Sequence, residues 1–232
     1  MERGLPHGRP VTRPVTALTP NSAKKFILDN TALMAPPHVP EIVLHLADEA
    51  HDLWQRTEDE LTEIGLPPPF WAFAWAGGQG LARYIIDNPA TVSGKCVLDF
   101  ASGSGLVAIA AVQAGAAEVI AADIDPFCAT AIRLNAEANG AGINFLGTDC
   151  IGTDASWDVV LAGDVFYDKP LADRLMPWLA VLRARGAEIL VGDPGRAYLP
   201  KTGLEPLAVY EVAVTRALED AEVKRTTVWR LS

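Results

Sequence analysis

Val97-Leu98-Asp99-Phe100-Ala101-Ser102-Gly103-Ser104-Gly105 decides the fold of this 232-residue chain. An apolar run ends in a carboxylate, a glycine-rich loop follows, and a helical run from Gly105 to Ala114 comes next. The same grammar repeats outward. Strand-like runs are Cys96 to Phe100, Glu118 to Asp123, Ile143 to Leu146, Trp157 to Ala162 and Glu188 to Gly192. Helical runs Pro126 to Asn139 and Leu171 to Arg183 fall among them. Alternation of this kind implies an α/β fold with a mostly parallel sheet covered on both faces. The last two strand-like runs, Ala208 to Thr215 and Lys224 to Leu231, have no helix-length segment between them and predict a C-terminal antiparallel hairpin.

Upstream, Ser22 to Met34 and Glu41 to Ile64 carry apolar residues that read as helical spacing, with Ile42, Leu44, Leu46, Leu53, Trp54, Leu61 and Ile64 on one face. Pro67, Pro68 and Pro69 then force an extended approach to Phe70 to Trp75, and a helix from Gly78 to Asn88 follows. The resulting organisation is a basic, Pro-rich tail over residues 1–40 and a single domain over 41–232, with a helical lead at 41–90. No internal repeat or second core is evident.

The chain has 29 acidic residues against 19 basic, a net charge of -10, and 50% hydrophobic residues. That balance argues against nucleic acid, whose phosphates require clustered Lys and Arg. The first 25 residues carry Arg3, Arg9, Arg13, Lys24 and Lys25 against Glu2 alone, so the remainder is more acidic than the total. Prolines in that head forbid a continuous amphipathic presequence helix, and no apolar stretch in it is long enough for a signal-peptide core. The most apolar region, Leu106 to Ile124, is broken by Gln113, Gly115 and Glu118, so no membrane span is expected. Cys96, Cys128 and Cys150 are widely spaced and odd in number, as for reduced thiols, and neither they nor the four histidines sit at metal-binding spacing. The expected location is the cytoplasm, or the mitochondrial matrix if the basic head is an address.

Gly103, Gly105 and Ala108 satisfy the GxGxxA form of a dinucleotide fingerprint, which lets backbone approach a ligand at a helix N-terminus. Asp123, at the end of the next strand, supplies a carboxylate for two ribose hydroxyls. Asp99 bears on which nucleoside binds. Beside the loop it would repel a pyrophosphate, whereas S-adenosylmethionine offers an ammonium and a sulfonium that a carboxylate favours. Its other reading is a cap for the backbone amides of the loop.

Val97 to Gly105 (VLDFASGSG), Ala122 to Pro126 (ADIDP) and Asn135 to Gly140 (NAEANG) resemble the first motifs of Rossmann-like, seven-strand S-adenosylmethionine methyltransferases. Taken alone they are also similar to a ribosomal large-subunit protein methyltransferase. Gly163 to Tyr167 (GDVFY) contains a DxxY motif, which resembles a group of protein-lysine methyltransferases. Within it, Phe70 to Tyr84 (FWAFAWAGGQGLARY) and Gly192 to Arg196 (GDPGR) are similar to the electron-transfer flavoprotein beta-subunit lysine methyltransferases. One departure is Phe100-Ala101-Ser102, where relatives often place a glycine after the apolar residue. The resemblance implies cofactor contacts from Trp75, Asp149 and Gly163, with Ala101, Ser102 and Ile124 completing the set around Asp99, Gly103, Gly105 and Asp123. It implies catalytic roles for Asp164 and Tyr167, S-adenosyl-L-homocysteine as product, no metal, and the electron-transfer flavoprotein beta subunit as partner, a ribosomal protein being the second possibility.

Three residues apart, Asp164 and Tyr167 would share one face of a helical turn and line one substrate channel. A carboxylate beside an ammonium raises its pKa, so the value of Asp164 would be in attracting and orienting a lysine. From a different class, a nicotinamide-dependent reductase or a non-catalytic nucleotide-binding module would also use a glycine loop. Asp99 and the DxxY segment count against both, and no Tyr-x-x-x-Lys pair is present.

Overall fold

The computed structural model describes residues 19–47, 68–214 and 221–232. Helix α1, Pro20–Asn30, begins at a reciprocal cap in which the Thr19 hydroxyl accepts from the Ser22 amide and the Ser22 hydroxyl accepts from the Thr19 amide. Pro20 supplies a first-turn φ at no hydrogen-bond cost. Ala23 and Ile27 bury one face of the helix in the core. Strands β1, Ala32–Met34, and β2, Leu44–Leu46, pair antiparallel.

These elements correct two expectations. The tail expected over residues 1–40 gives way to folded chain by Thr19, because α1 has an apolar face to bury. Residues 41–46 are not helical: Ile42, Leu44 and Leu46 alternate with half-buried neighbours, which is the strand period of two. The rest of the expected helix, residues 48–64, lies outside the described residues, which resume at residue 68.

After a 3-10 turn at Phe70–Ala72 come α2, Ala76–Asp87, β3, Cys96–Phe100, α3, Leu106–Gln113, β4, Glu118–Ala122, α4, Cys128–Asn139, and β5, Asn144–Leu146. The second half holds β6, Val159–Gly163, α5, Lys169–Arg185, β7, Glu188–Asp193, β8, Leu204–Ala213, and β9, Val223–Leu231. Seven strands form one sheet in the order β5-β4-β3-β6-β7-β9-β8. The first five are parallel, and β9 runs antiparallel to both β7 and β8. The expected α/β sheet with a C-terminal antiparallel hairpin is what the chain forms. β8 starts at Leu204 rather than Ala208, and Pro206 sits within it beside a register shift, which an edge strand tolerates.

Side chains alternate between two cores across the sheet. Val97, Val159, Leu161 and Leu190 face α2, α3 and α4, while Leu98, Val160, Ala162, Ile189 and Val191 face α5. Strand order reverses at β3, which pairs β4 on one side and β6 on the other. The crevice at such a switch point, outside the carboxyl ends of the strands, is where α/β sheets hold ligands.

Candidate active site

A cavity of about 400 Å³ opens at that switch point. Its first wall is the loop between β3 and α3. Asp99, 1% exposed, accepts the Ser102 hydroxyl and the Ala108 amide (3.0 Å) on one oxygen. The reading of Asp99 as a cap is met, because it ties the loop together, and the side chain also lines the cavity. Burial pushes its carboxyl up to about 7, against the downward pull of those two hydrogen bonds, and nearby Asp123 adds to the rise. Ala101 and Gly103 both take left-handed backbone, at φ 53° and 54°. Glycine adopts this freely and alanine does so only under strain.

Asp123 is held from both sides. Its Oδ2 accepts the Gly103 amide and its Oδ1 the Asp125 amide, each at 2.9 Å. Asp125, also buried and also lining the cavity, is pushed up to about 7 by burial, opposed by its bond from the Phe127 amide and reinforced by Asp123. Ile124 between them is 74% exposed, an apolar side chain presented at the rim. Asp149 lines the cavity too and pairs with Arg174, which holds its carboxyl below the usual range.

The opposite wall is where α2 meets the ends of β6 and β7. Gly77, Gly163 and Gly192 bring backbone against backbone there, and a side chain would fill the contact: a Cβ on Gly163 would lie 2.9 Å from the Gly78 Cα. This approach lets the Gly78 amide donate to Asp164 Oδ2 at 2.8 Å. Asp164 Oδ1 accepts two bonds from Arg196, Nε at 3.0 Å and Nη2 at 2.6 Å. The Arg196 guanidinium lies 5.7 Å from the Trp75 ring centre, a cation–π arrangement. Trp75 Nε1 donates to the Phe70 carbonyl at 3.0 Å. The Tyr167 ring packs on Phe70 with centres 5.6 Å apart, and its hydroxyl is pushed up by burial and by Asp168 and Asp123.

Asp164 and Tyr167 both line the cavity, but not as two members of one helical turn. Asp164 precedes the 3-10 turn Val165–Tyr167 and has left-handed backbone (φ 58°), so its carboxylate turns back toward α2 and Arg196. Of the expected cofactor contacts, Trp75, Asp99, Ala101, Ser102, Gly103, Asp123, Ile124, Asp149 and Gly163 line the cavity. Gly105 does not. It stands at the start of α3 with φ 85°, where a Cβ would be 3.3 Å from Ile132, so it serves helix packing behind the wall.

Phe70, Arg196 and Asn135 fall in quoted motifs, yet sequence reading assigns none of them a role at the site. Asn135 is fully buried and donates to the Ser104 carbonyl at 2.7 Å while accepting the His45 amide at 2.7 Å. Asn139, one turn on, both donates to and accepts from the Val43 backbone. Two amides of α4 thus give β2 the partners a further strand would have supplied, and join the N-terminal segment to the glycine loop. Among the described residues, no group of three or more His, Cys, Asp or Glu side chains is placed to hold a metal. No described helix is long and apolar enough to cross a membrane.

Solved structures share this architecture. The ribosomal protein L11 methylase of Lactobacillus delbrueckii subsp. bulgaricus matches with a TM-score of 0.50 at 23% identity, over 68% of this chain and 79% of that one. Magnesium protoporphyrin IX methyltransferase of Synechocystis PCC 6803 matches with a TM-score of 0.52 at 16% identity, over 80% of this chain and 100% of that one. A family model described as ribosomal protein L11 methyltransferase (PrmA) matches residues 85–166. Longer matches run through both walls of the cavity. The electron transfer flavoprotein beta subunit lysine methyltransferase of Xenopus laevis is 40% identical over 89% of this chain and 85% of its own length. Its namesake in Homo sapiens is 36% identical over 89% and 80%. With relatives this similar over at least four fifths of their length, the chain belongs to the family of electron transfer flavoprotein beta subunit lysine methyltransferases.

Proposed function

We propose that this enzyme methylates a lysine ε-amino group of the electron transfer flavoprotein beta subunit, using S-adenosyl-L-methionine and releasing S-adenosyl-L-homocysteine. The observation that carries the reading is one continuous cavity with the Asp99 and Asp123 carboxylates on one wall and Asp164, Tyr167 and Trp75 on the other. A nucleoside sulfonium and an amine can therefore meet within it.

The residues fit that cofactor chemically. Asp123, fixed by two backbone amides, presents a carboxylate at the end of β4 for ribose hydroxyls. Asp99, pushed up to about 7, becomes an ionised partner when a cationic amino group approaches. Ile124 offers an apolar surface to an adenine face, and Asp149 and Gly163 border the same space. A pyrophosphate would meet Asp99, Asp123 and Asp125 together and be repelled.

The bound cofactor supplies a methyl on a sulfonium sulfur, which the amine takes as the carbon–sulfur bond breaks. What the protein must do is align the amine, exclude water and let the amine be neutral. An exposed lysine with pKa about 10.4 is neutral in only about one molecule in two thousand near pH 7. The Phe70 and Tyr167 rings at the cavity shed water from an incoming side chain, and the Tyr167 hydroxyl can accept a hydrogen bond from the amine. Asp164 orients the amine through its carboxylate.

The test is incubation of the full chain with methyl-labelled S-adenosylmethionine and the purified beta subunit, followed by peptide mapping. Label on a lysine of that subunit is expected. Label confined to ribosomal protein, nucleic acid or small molecules in a parallel extract would overturn the assignment.

A further inference from the structure

Arg196 stands on the loop after β7 and is fixed at three points. Its backbone amide donates to Asp193 Oδ1 at 2.7 Å, its guanidinium gives two hydrogen bonds to Asp164 Oδ1, and the same group lies over the Trp75 ring. The loop itself is tied to the DxxY turn by the Tyr198 amide, which donates to the Phe166 carbonyl at 3.0 Å. The arginine is thus a built part of the cavity wall.

Its charge answers a difficulty in the chemistry. An unpaired carboxylate beside a lysine ammonium holds the proton on, and only the neutral amine can attack a methyl carbon. We propose that Arg196 is a positioning residue for methyl transfer: by pairing with Asp164 it leaves a hydrogen-bond acceptor that orients the lysine amine without acting as its counter-ion. The inference rests on the lysine methyltransferase function proposed above. In the step it serves, the ammonium first loses its proton to solvent. The amine lone pair then forms the nitrogen–carbon bond while the methyl–sulfur bonding pair returns to sulfur.

Other charged and titratable groups stand around the same space and are the same in all four proteins, with Asp99 and Asp125, pushed up to about 7, titrating within the pH range in each. They are Asp99, Asp123 and Asp125 by the glycine loop, Asp149 with Arg174, Tyr167, and the thiols of Cys128 and Cys150, both pushed up by burial, while Asp193 stands behind Arg196. Removing Arg196 leaves the Asp164 charge without its guanidinium partner, and removing the Asp164 charge leaves the guanidinium in excess. The two changes move the lysine's ionisation in opposite directions.

The experiment is the pH profile of kcat at saturating substrates, which reads ionisations in the enzyme–substrate complex, between pH 6 and 10 for wild type, R196Q, R196K and D164N, with the full chain, S-adenosylmethionine and the beta subunit. Thermal stabilisation by S-adenosylhomocysteine verifies that each variant folds and binds. For R196Q the rising limb is expected about one pH unit higher than in wild type, with a loss of about tenfold at pH 7 that narrows by pH 9. R196K, which keeps the charge, leaves the limb near its wild-type position. D164N moves it about one unit lower, whatever its effect on the plateau. Limbs that stay at the wild-type pH in both R196Q and D164N overturn the role of Arg196, as does an R196Q enzyme with higher activity and lower KM, which would make the arginine a plug. If R196Q does not fold, the D164N limb alone decides. A wild-type chain that labels no protein lysine refutes the proposed function itself.

Discussion

Gly77 and Gly192 meet backbone to backbone, so that a Cβ added to Gly192 would stand 2.1 Å from the Gly77 carbonyl oxygen. The start of α2 is set against β7 by this contact, and the Gly78 amide reaches Asp164 only because of it. Gly192→Ala forces the helix away from the sheet and is expected to cost about 1–3 kcal/mol. It should also lower kcat/KM more than that loss of folded protein explains. Gly142→Ala, at a position with open space around it, is the control and should stay within about 0.5 kcal/mol of wild type in urea unfolding.

Ala101 takes φ 53°, in the left-handed region that favours glycine. Left-handed backbone costs an alanine about 1–2 kcal/mol, part of which glycine returns through its greater freedom in the unfolded chain. Ala101→Gly is therefore expected to stabilise the protein by about 0.5–1 kcal/mol in urea unfolding, with cofactor affinity unchanged or improved. A destabilised variant would show that the loop does not hold this conformation.

Asp99 and Asp125 are both pushed by burial to about 7, well above the ordinary carboxylate range. Between about pH 4 and 7 the folded protein binds more protons than the unfolded chain, so this contribution to stability is full at low pH and is lost as pH rises through 7. Bound S-adenosylhomocysteine brings an ammonium that favours ionised Asp99. Thermal melts from pH 5.5 to 8.5 should thus show a ligand-induced shift that grows with pH. A shift that shrinks with pH would remove Asp99 from the ammonium site.

Asn135 spends its amide on two buried backbone groups, the Ser104 carbonyl and the His45 amide. Asn135→Asp keeps the shape and the acceptor but cannot donate, leaving the carbonyl unpaired beside a buried charge. We expect a loss of about 2–4 kcal/mol, together with weaker S-adenosylhomocysteine binding because the glycine loop loses its support. Isothermal titration reads the second effect independently of the melt.

The net charge of -10 makes the body of the enzyme attractive to a surface that carries lysine. Screening lengths fall to about 10 Å at 0.1 M salt. KM for the protein substrate should accordingly rise between low and physiological ionic strength while kcat holds. A KM indifferent to salt would leave the acidity as a matter of solubility alone.

Local signals in the sequence were enough for the sheet and the cofactor wall. Strand, glycine loop, helix and the following carboxylate lie within about thirty residues of one another, from Val97 to Asp125. The other wall was legible only by family resemblance, because Asp164 finds Arg196 thirty-two positions away and Gly78 eighty-six positions back. No periodicity announces such a partner. Gly192 to Arg196 was noticed as a motif, yet nothing in its spacing says that the arginine closes on Asp164. Ile42, Leu44 and Leu46 were misread because alternate residues also fall partly on one helical face, and only the pairing with Ala32–Met34 separates the two periods.

The grip of Asn135 and Asn139 on Val43 and His45 joins residues separated by 90 and 96 positions. Contacts of that span form late, since the chain between must first be ordered for the closure to be worth its entropy. Residues 43–45 precede α4 in the chain and cannot dock before it is made, and the glycine loop gains the support of Asn135 only once α4 exists. Amide exchange at Val43 and His45, the two groups held by α4, would read how often this closure opens.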